Sequence, residues 1–215
     1  MSVFDRPIVM LDFETTGLSP VMGDRITEVA ALRIVDGVVT ERYVSLVNCE
    51  ARIPSFITSL TGISQAMVDN APPVRKVIPE LLDFIGAGTL SAHNASFDEK
   101  FLKAEAARLA LAPAHQALVC SLKLSRRLFP GMPSYKLGVL SSQLGLVFRS
   151  AAHRAEADAE VGAQLLIHIA RHLHGEVGEH PVSTSLLGSL NKLSAAKVPA
   201  FLNKYATQQK PPVQD

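Results

Sequence analysis

The first part of the chain places short apolar segments between turn residues, a pattern typical of β-strands. Residues 8–13 are almost entirely apolar and end at Thr15-Thr16-Gly17, so they predict a buried strand. Segments 25–35 and 38–47 are rich in β-branched residues, and the intervening Asp36-Gly37 is a strong hairpin signal. The chain is therefore expected to open with a three-stranded antiparallel meander.

After Pro54, apolar residues recur mainly at helical spacing. Two further short strands are predicted at 89–92 and 117–120, and helices are predicted at 55–60, 64–68, 74–84, 95–109, 122–128, 135–144 and 154–172. Strands that alternate with helices after an antiparallel meander predict an α/β domain with a mixed five-stranded sheet flanked by helices.

The pattern loosens after His174, where Gly175, Gly178 and Pro181 interrupt the helical spacing. We therefore divide the chain into a domain at 1–174 and a C-terminal helical extension and tail at 175–215. Leucines at helical spacing in the extension need a surface to cover them, either the domain itself, which is slightly favoured, or a partner protein. Lys210-Pro211-Pro212 leaves only a short free tail.

Composition and length narrow the protein class. The chain has 215 residues and is 47% hydrophobic with a mean hydropathy of +0.20, which predicts one folded domain rather than disorder. Apolar runs such as 8–11 are far shorter than the roughly 20 residues of a membrane helix, and no secretory signal is visible. The two cysteines, Cys49 and Cys120, are far apart and in no metal-binding spacing, so a cytoplasmic protein without a membrane partner is expected.

Charge is unevenly distributed, although the formal net charge is only +1. Residues 1–99 contain 7 basic and 13 acidic residues, whereas residues 100–149 contain 8 basic residues and one acidic residue. An acidic segment followed by a basic one suits a metal site beside a phosphate-binding surface. By charge alone, solvated helix faces explain the pattern better.

Asp12 and Glu14 lie two residues apart at the end of the first predicted strand. Residues i and i+2 of a strand share a face, so the two carboxylates should converge. This arrangement is costly unless a cation neutralises them, the strand end reaches solvent, or Arg25 pairs with them.

Asp98, His153 and Asp158 extend this set. Asp98 falls in the first turn of a predicted helix, where an acid is also favourable for purely structural reasons. His153 and Asp158 would lie about 140° apart on a regular helix, so we expect His153 just before the helix and Asp158 within it. Together, four carboxylates and one histidine suit phosphoryl chemistry with two Mg²⁺ ions.

Three motifs give this set a family resemblance. The segment Asp12-Phe13-Glu14-Thr15-Thr16-Gly17 resembles the first motif of the DEDDh 3′–5′ exonucleases, which include the proofreading epsilon subunit of bacterial replicative polymerases. Residues 93–98 match the second motif, H-N-x-x-F-D, and residues 153–159 match the third, H-x-A-x-x-D-A. Residues 57–63 resemble the segment that lines the 3′-terminal nucleotide in this family.

The resemblance implies an RNase H-like fold with defined site residues. It implies that Asp12, Glu14, Asp98 and Asp158 bind two Mg²⁺ ions, which Mn²⁺ could replace, and that His153 is the general base, with Glu14 also counted as catalytic. The substrate-binding residues that it implies are Thr15, Thr16, Gly17, Leu18, Leu60, Ile63, His93, Asn94 and Phe97. Thr61 departs from the family, because many members carry histidine at this position.

The expected activity is metal-dependent hydrolysis from the 3′ end of DNA, which releases nucleoside 5′-monophosphates. Expected partners are a nucleic acid with a free 3′ end, DNA in preference to RNA, and a DNA polymerase subunit. An RNA-trimming exonuclease and a non-catalytic polymerase-associated subunit are the alternatives. In the basic segment, Lys123, Arg126, Arg127 and Lys136 are the leading candidates for holding the phosphate backbone.

Overall fold

The computed structural model describes residues 2–148, 153–178 and 181–209. Within them, five strands form one mixed sheet: β1 (Ile8–Thr15), β2 (Ile26–Val35), β3 (Val38–Leu46), β4 (Thr89–Ala92) and β5 (Ala117–Cys120). The helices are α1 (Ser55–Thr61), α2 (Gln65–Asp69), α3 (Val74–Ile85), α4 (Ala95–Arg108), α5 (Ser121–Leu128), α6 (Leu137–Gln143), α7 (Ala155–Val177), α8 (Thr184–Lys192) and α9 (Val198–Gln209).

The sheet has the strand order β3-β2-β1-β4-β5. Strands β1 to β3 form the predicted antiparallel meander, whereas β4 and β5 run parallel to β1. Asp36 and Gly37, between β2 and β3, both have positive φ, the conformation that a tight two-residue hairpin turn requires. The predicted mixed α/β fold is thus confirmed, with β1 at the centre of the sheet.

The two faces of the sheet are covered by different helices. Each helix packs against a different set of strand residues, because successive side chains of a strand point to opposite faces. Helix α7 packs on the face that presents Met10, Ala30 and Leu32, while α3 and α4 pack on the face that presents Leu11 and Val29. The C-terminal end of β1 and the first turns of α4 and α7 meet at one edge of this core.

Helix α7 is longer than predicted, since it continues past His172 and Gly175 to Val177. Leu173 and Val177 are buried in the core, and this burial outweighs the roughly 1 kcal/mol cost of a glycine inside a helix. The helix ends at Gly178, which adopts the left-handed conformation common at helix ends.

The C-terminal extension packs on the same core as α7. Leu186, Leu187 and Leu190 of α8 are buried, and the Asn191 side chain forms hydrogen bonds with both the backbone N–H and the carbonyl of Cys120. Residues 210–212, for which a free tail is predicted, lie outside the described residues. Among the described residues, no helix has the length and apolar character needed to cross a membrane.

Candidate active site

Three carboxylates meet at the edge of the sheet. Asp12 and Glu14 leave the same face of β1, and Asp158 comes from the first turn of α7. One carboxylate oxygen from each lies within 4.8 Å of the other two. The alternative pairing with Arg25 does not occur, because Arg25 forms its ion pair with Glu105.

Asp98 approaches this cluster from the first turn of α4. It is only 3% exposed, and its Oδ1 accepts a hydrogen bond from the backbone N–H of Phe13, with a length of 3.2 Å. This bond joins α4 to β1 between Asp12 and Glu14. Asp98 is also the strongest electrostatic neighbour of Asp12.

The carboxylates are short of positive charge. Burial is the largest cause that raises the pKa of Asp12 well above its usual range, followed by repulsion from Asp98, Asp158 and Glu14. Burial likewise raises the pKa of Glu14 to about 7 and that of Asp98 to about 8. It also raises the pKa of Asp158. The site therefore suits a bound cation, which would favour the ionised carboxylates.

His153 lies just before α7, and Asp158 lies inside the helix, as the spacing predicts. The two are joined by a 3.0 Å hydrogen bond from the His153 backbone N–H to Asp158 Oδ2. His153 has a φ of 63°, which is uncommon for a residue other than glycine. The His153 backbone thus holds the Asp158 carboxylate, while the His153 side chain is exposed.

An open pocket of about 840 Å³ contains the site and extends along a partly basic wall. Its lining residues include Asp12, His93, Asn94, Leu122, Arg126, Tyr135, Lys136, Phe148, His153 and Asp158. The Arg126 guanidinium lies 5.8 Å from the centre of the Tyr135 ring. A wall that combines cationic groups with aromatic rings suits a single nucleic-acid strand.

His93 and Asn94 form the turn between β4 and α4. The His93 ring nitrogens contact Ser121 Oγ at 3.0 Å and the Tyr135 carbonyl at 2.9 Å, so the ring ties β4 to the wall of the pocket. Burial lowers the pKa of His93, which favours its neutral form. Asn94 is exposed and has a φ of 74°.

The turn after β1 is organised by internal hydrogen bonds. Thr15 Oγ1 donates to the Gly17 carbonyl at 2.6 Å, and Thr16 Oγ1 accepts from the Arg25 N–H at 3.0 Å. A Cβ at Gly17 would lie 2.5 Å from the Asp24 carboxylate, so any larger residue there would displace the Asp24 side chain. Leu18, which is 78% exposed, is therefore the side chain that this turn offers to a ligand.

The residues predicted to contact a nucleotide around α1 differ in exposure. Leu60 is half exposed, whereas the Ile63 side chain is fully buried against Ile57 and Val68 and supports α1. Phe97 is partly buried, 5.0 Å from the Phe101 ring, with the Lys100 ammonium 4.9 Å above it.

Only some of the basic residues predicted to hold phosphates line the pocket. Arg126 and Lys136 line the pocket, whereas Arg127 donates hydrogen bonds to the carbonyls of Lys123, Asn191 and Leu193. Lys123 itself is exposed but does not line the pocket. Arg149 of the same segment lies outside the described residues.

Sequence reasoning overlooked Glu28 and Arg154, which pair beside the carboxylate cluster. Arg154 Nε lies 3.0 Å from Glu28 Oε2, and the Ala155 N–H donates to the same oxygen at 2.9 Å. A glutamate near the start of the mostly apolar β2 was the available signal, because an unpaired buried acid is rare.

Comparisons with known proteins agree with this geometry. The Exonuclease (RNase_T) family profile matches residues 9–166. The chain is 39% identical to the 3′-5′ exonuclease DinG of Bacillus subtilis over 161 residues, which are 75% of this chain but only 17% of that protein. It is 32% identical to the DNA polymerase III subunit epsilon of Aquifex aeolicus, covering 82% of this chain and 87% of that subunit.

A solved structure of exonuclease X in complex with 5′ overhanging duplex DNA has the same fold. It superposes with a TM-score of 0.66 at 27% identity, covering 86% of this chain and 99% of the exonuclease X chain. The sheet topology, the carboxylate cluster and the family match over most of the chain all indicate the same family. The protein therefore belongs to the RNase_T exonuclease family and has the RNase H-like fold of the DEDDh exonucleases.

Proposed function

We propose that the protein is a metal-dependent 3′–5′ exonuclease that hydrolyses DNA and releases nucleoside 5′-monophosphates. The observation that carries this proposal is the carboxylate cluster of Asp12, Glu14 and Asp158. Two of its members, Asp12 and Asp158, line one pocket together with His153. Asp98 completes the set of four acids from β1, α4 and α7. This set corresponds to the family motifs described above.

The donor set fits Mg²⁺. Carboxylate oxygens are the ligands that this ion prefers, and the raised pKa of Glu14 and Asp98 indicates that the cluster needs a cation at neutral pH. We propose that Asp12, Glu14, Asp98 and Asp158 hold two Mg²⁺ ions, which Mn²⁺ can replace. Two bound ions would stabilise negative charge on the attacking and leaving oxygens.

His153 is proposed as the general base. Its ring is exposed in the pocket that Asp12 and Asp158 line, so it can accept a proton from a water molecule placed there. Histidine exchanges protons near neutral pH, which suits this role. The hydrogen bond from its backbone N–H to Asp158 keeps the residue beside the carboxylate cluster.

The 3′ end of the substrate is proposed to lie between the turn after β1 and the pocket wall. Leu18 and Leu60 offer exposed apolar surface for the terminal nucleotide, and Phe97 and Asn94 lie on the neighbouring start of α4. Arg126 and Lys136 would bind phosphates behind it, while Tyr135 offers a ring for stacking.

DNA is the proposed substrate because relatives that match much of this chain are a DNA polymerase III subunit and the exonuclease X structure that contains duplex DNA. A DNA polymerase subunit is the proposed protein partner for the same reason. The buried free thiols of Cys49 and Cys120 and these replication-related relatives support a cytoplasmic location.

Matched single-stranded DNA and RNA oligonucleotides with a 5′ label would test the proposal. With Mg²⁺, the DNA should give a ladder that shortens from the 3′ end, and chelation should stop it. Faster shortening of the RNA would indicate RNA trimming, whereas no turnover of either strand would indicate a non-catalytic subunit.

A further inference from the structure

Two ion pairs, each between a buried glutamate and an arginine, connect β2 and the residue before it to the helices that bear Asp158 and Asp98. Glu28 of β2 pairs with Arg154 at the start of α7, and Arg25, directly before β2, pairs with Glu105 of α4. Both pairs are bidentate, with Arg25 Nε and Nη2 lying 2.7 Å and 3.0 Å from the two oxygens of Glu105. Glu28 is 2% exposed and Glu105 is fully buried.

The two pairs extend to opposite faces of the sheet. Glu28 points to the face covered by α7, where its Oε2 also accepts the Ala155 N–H, so it holds the first turn of the helix that carries Asp158. Arg25 reaches α4 at Glu105, seven residues and two helical turns after Asp98. The beginning of β2 thus contacts both helices that approach β1.

Strand β2 is also fixed to β1 at the level of the cluster. Glu14 is the antiparallel partner of Glu28, and the Thr16 N–H donates to the Arg25 carbonyl at 2.8 Å. One rigid segment therefore contacts the strand with Asp12 and Glu14, the helix with Asp98 and the helix with Asp158.

We propose that the Glu28–Arg154 and Arg25–Glu105 pairs are positioning devices that set where α7 and α4 place Asp158 and Asp98 relative to β1. None of these four residues belongs to the carboxylate cluster or lines the pocket beside it. The inference rests on the proposed function for its biological meaning, because it assigns the spacing of the proposed metal ligands to β2.

Stability alone does not account for pairs of this kind. Burying an acid costs solvation energy, and apolar residues of similar size often serve a core equally well or better. A bidentate arginine–carboxylate pair instead fixes both distance and orientation.

Arg154→Lys separates positioning from charge, because it keeps the positive charge and removes the fork that grips Glu28. We expect Mn²⁺ binding, measured by isothermal titration calorimetry on the folded protein, to weaken about 10- to 100-fold, as is usual when partners of metal ligands are changed. The turnover number should fall in parallel, while KM for a DNA oligonucleotide stays within about twofold. Arg25→Lys should weaken Mn²⁺ binding in the same way, because Arg25 pairs with Glu105 of α4, the helix that carries Asp98.

Arg33→Lys is the matched control, since Arg33 lies near the other end of β2 and likewise pairs with a carboxylate, that of Glu41. It should leave Mn²⁺ binding unchanged. If Arg154→Lys does not fold, Glu28→Gln provides the second variant, and weakened binding is again expected.

The outcomes separate this inference from the proposed function. Wild-type affinity for Mn²⁺ in folded Arg154→Lys and Arg25→Lys would overturn the positioning role, whatever the nuclease assay shows. A lower melting temperature with unchanged Mn²⁺ affinity would also overturn it, because the pairs would then be purely structural. Wild-type protein that binds Mn²⁺ but digests no nucleic acid would refute only the proposed function.

Discussion

Replacing Glu14 with glutamine should stabilise the metal-free protein, and the gain should grow with pH. The pKa of Glu14 rises from 4.5 to about 7, mainly because the side chain is buried and also because Asp158 and Glu28 repel its charge. Since the folded-state pKa is the higher one, this carboxyl contributes stability at low pH and loses that contribution as the pH rises through about 7. Glutamine at position 14 does not ionise, so Glu14→Gln does not lose this stability.

The magnitude follows from the two pKa values. A pKa that is about 2.5 higher in the folded chain corresponds to a cost of about 3 kcal/mol once the carboxyl is ionised, at about pH 8.5. At about pH 5 the same cost is below about 1 kcal/mol. A chain of this size changes its melting temperature by about 2–4 °C per kcal/mol, so Glu14→Gln should melt about 6–12 °C above wild type at the higher pH.

Differential scanning calorimetry with EDTA at both pH values measures this gain. Glu41→Gln provides the control, because Glu41 is exposed on β3 and forms a surface pair with Arg33, so its effect should not depend on pH in this way. Adding Mg²⁺ should stabilise wild type more than Glu14→Gln. A Glu14→Gln effect that is equal at about pH 5 and about pH 8.5 would refute the argument that the carboxylates are crowded.

His153→Ala should lower turnover by about 10²- to 10⁴-fold while Mn²⁺ binding persists in calorimetry, because only the proposed base is removed; loss of metal binding would contradict this role. Arg126→Gln should weaken DNA binding, measured by fluorescence anisotropy across a salt series. The slope of log affinity against log salt concentration should become shallower by about 0.7 for each phosphate that the variant no longer binds, and an unchanged slope would show that Arg126 does not bind a phosphate. Removing residues 181–215 should lower the melting temperature sharply in calorimetry, because α8 buries Leu186, Leu187 and Leu190 in the core; a truncated protein that melts like wild type would contradict this packing.

Much of the fold could be predicted because its signals are local. The apolar run that forms β1, the β-branched segments and the Asp36-Gly37 turn each specify their own structure without reference to distant residues. The convergence of Asp12 and Glu14 follows from the two-residue period of a strand in the same way. The placement of His153 before α7 follows from helix geometry.

The features that sequence reasoning missed depend on distant partners. The sequence predicts Arg127 to be available for phosphate binding. In the structure its guanidinium donates hydrogen bonds to the carbonyls of Asn191 and Leu193, at the end of α8. Ile63 belongs to a segment associated with nucleotide binding, yet packing beneath α1 buries it. Glu28 and Arg154 are 126 residues apart, and no local pattern shows that one neutralises the other.

Single-turnover hydrolysis of 5′-labelled single-stranded DNA by wild type and Asp12→Asn tests the central claim most directly. Asparagine keeps the shape of Asp12 but removes a proposed metal ligand, so the variant should fold and bind DNA. We expect wild type with Mg²⁺ to shorten the strand stepwise from its 3′ end and Asp12→Asn to be slower by at least about 1,000-fold. Asp12→Asn activity within about tenfold of wild type, or cleavage at internal positions by wild type, would contradict the account.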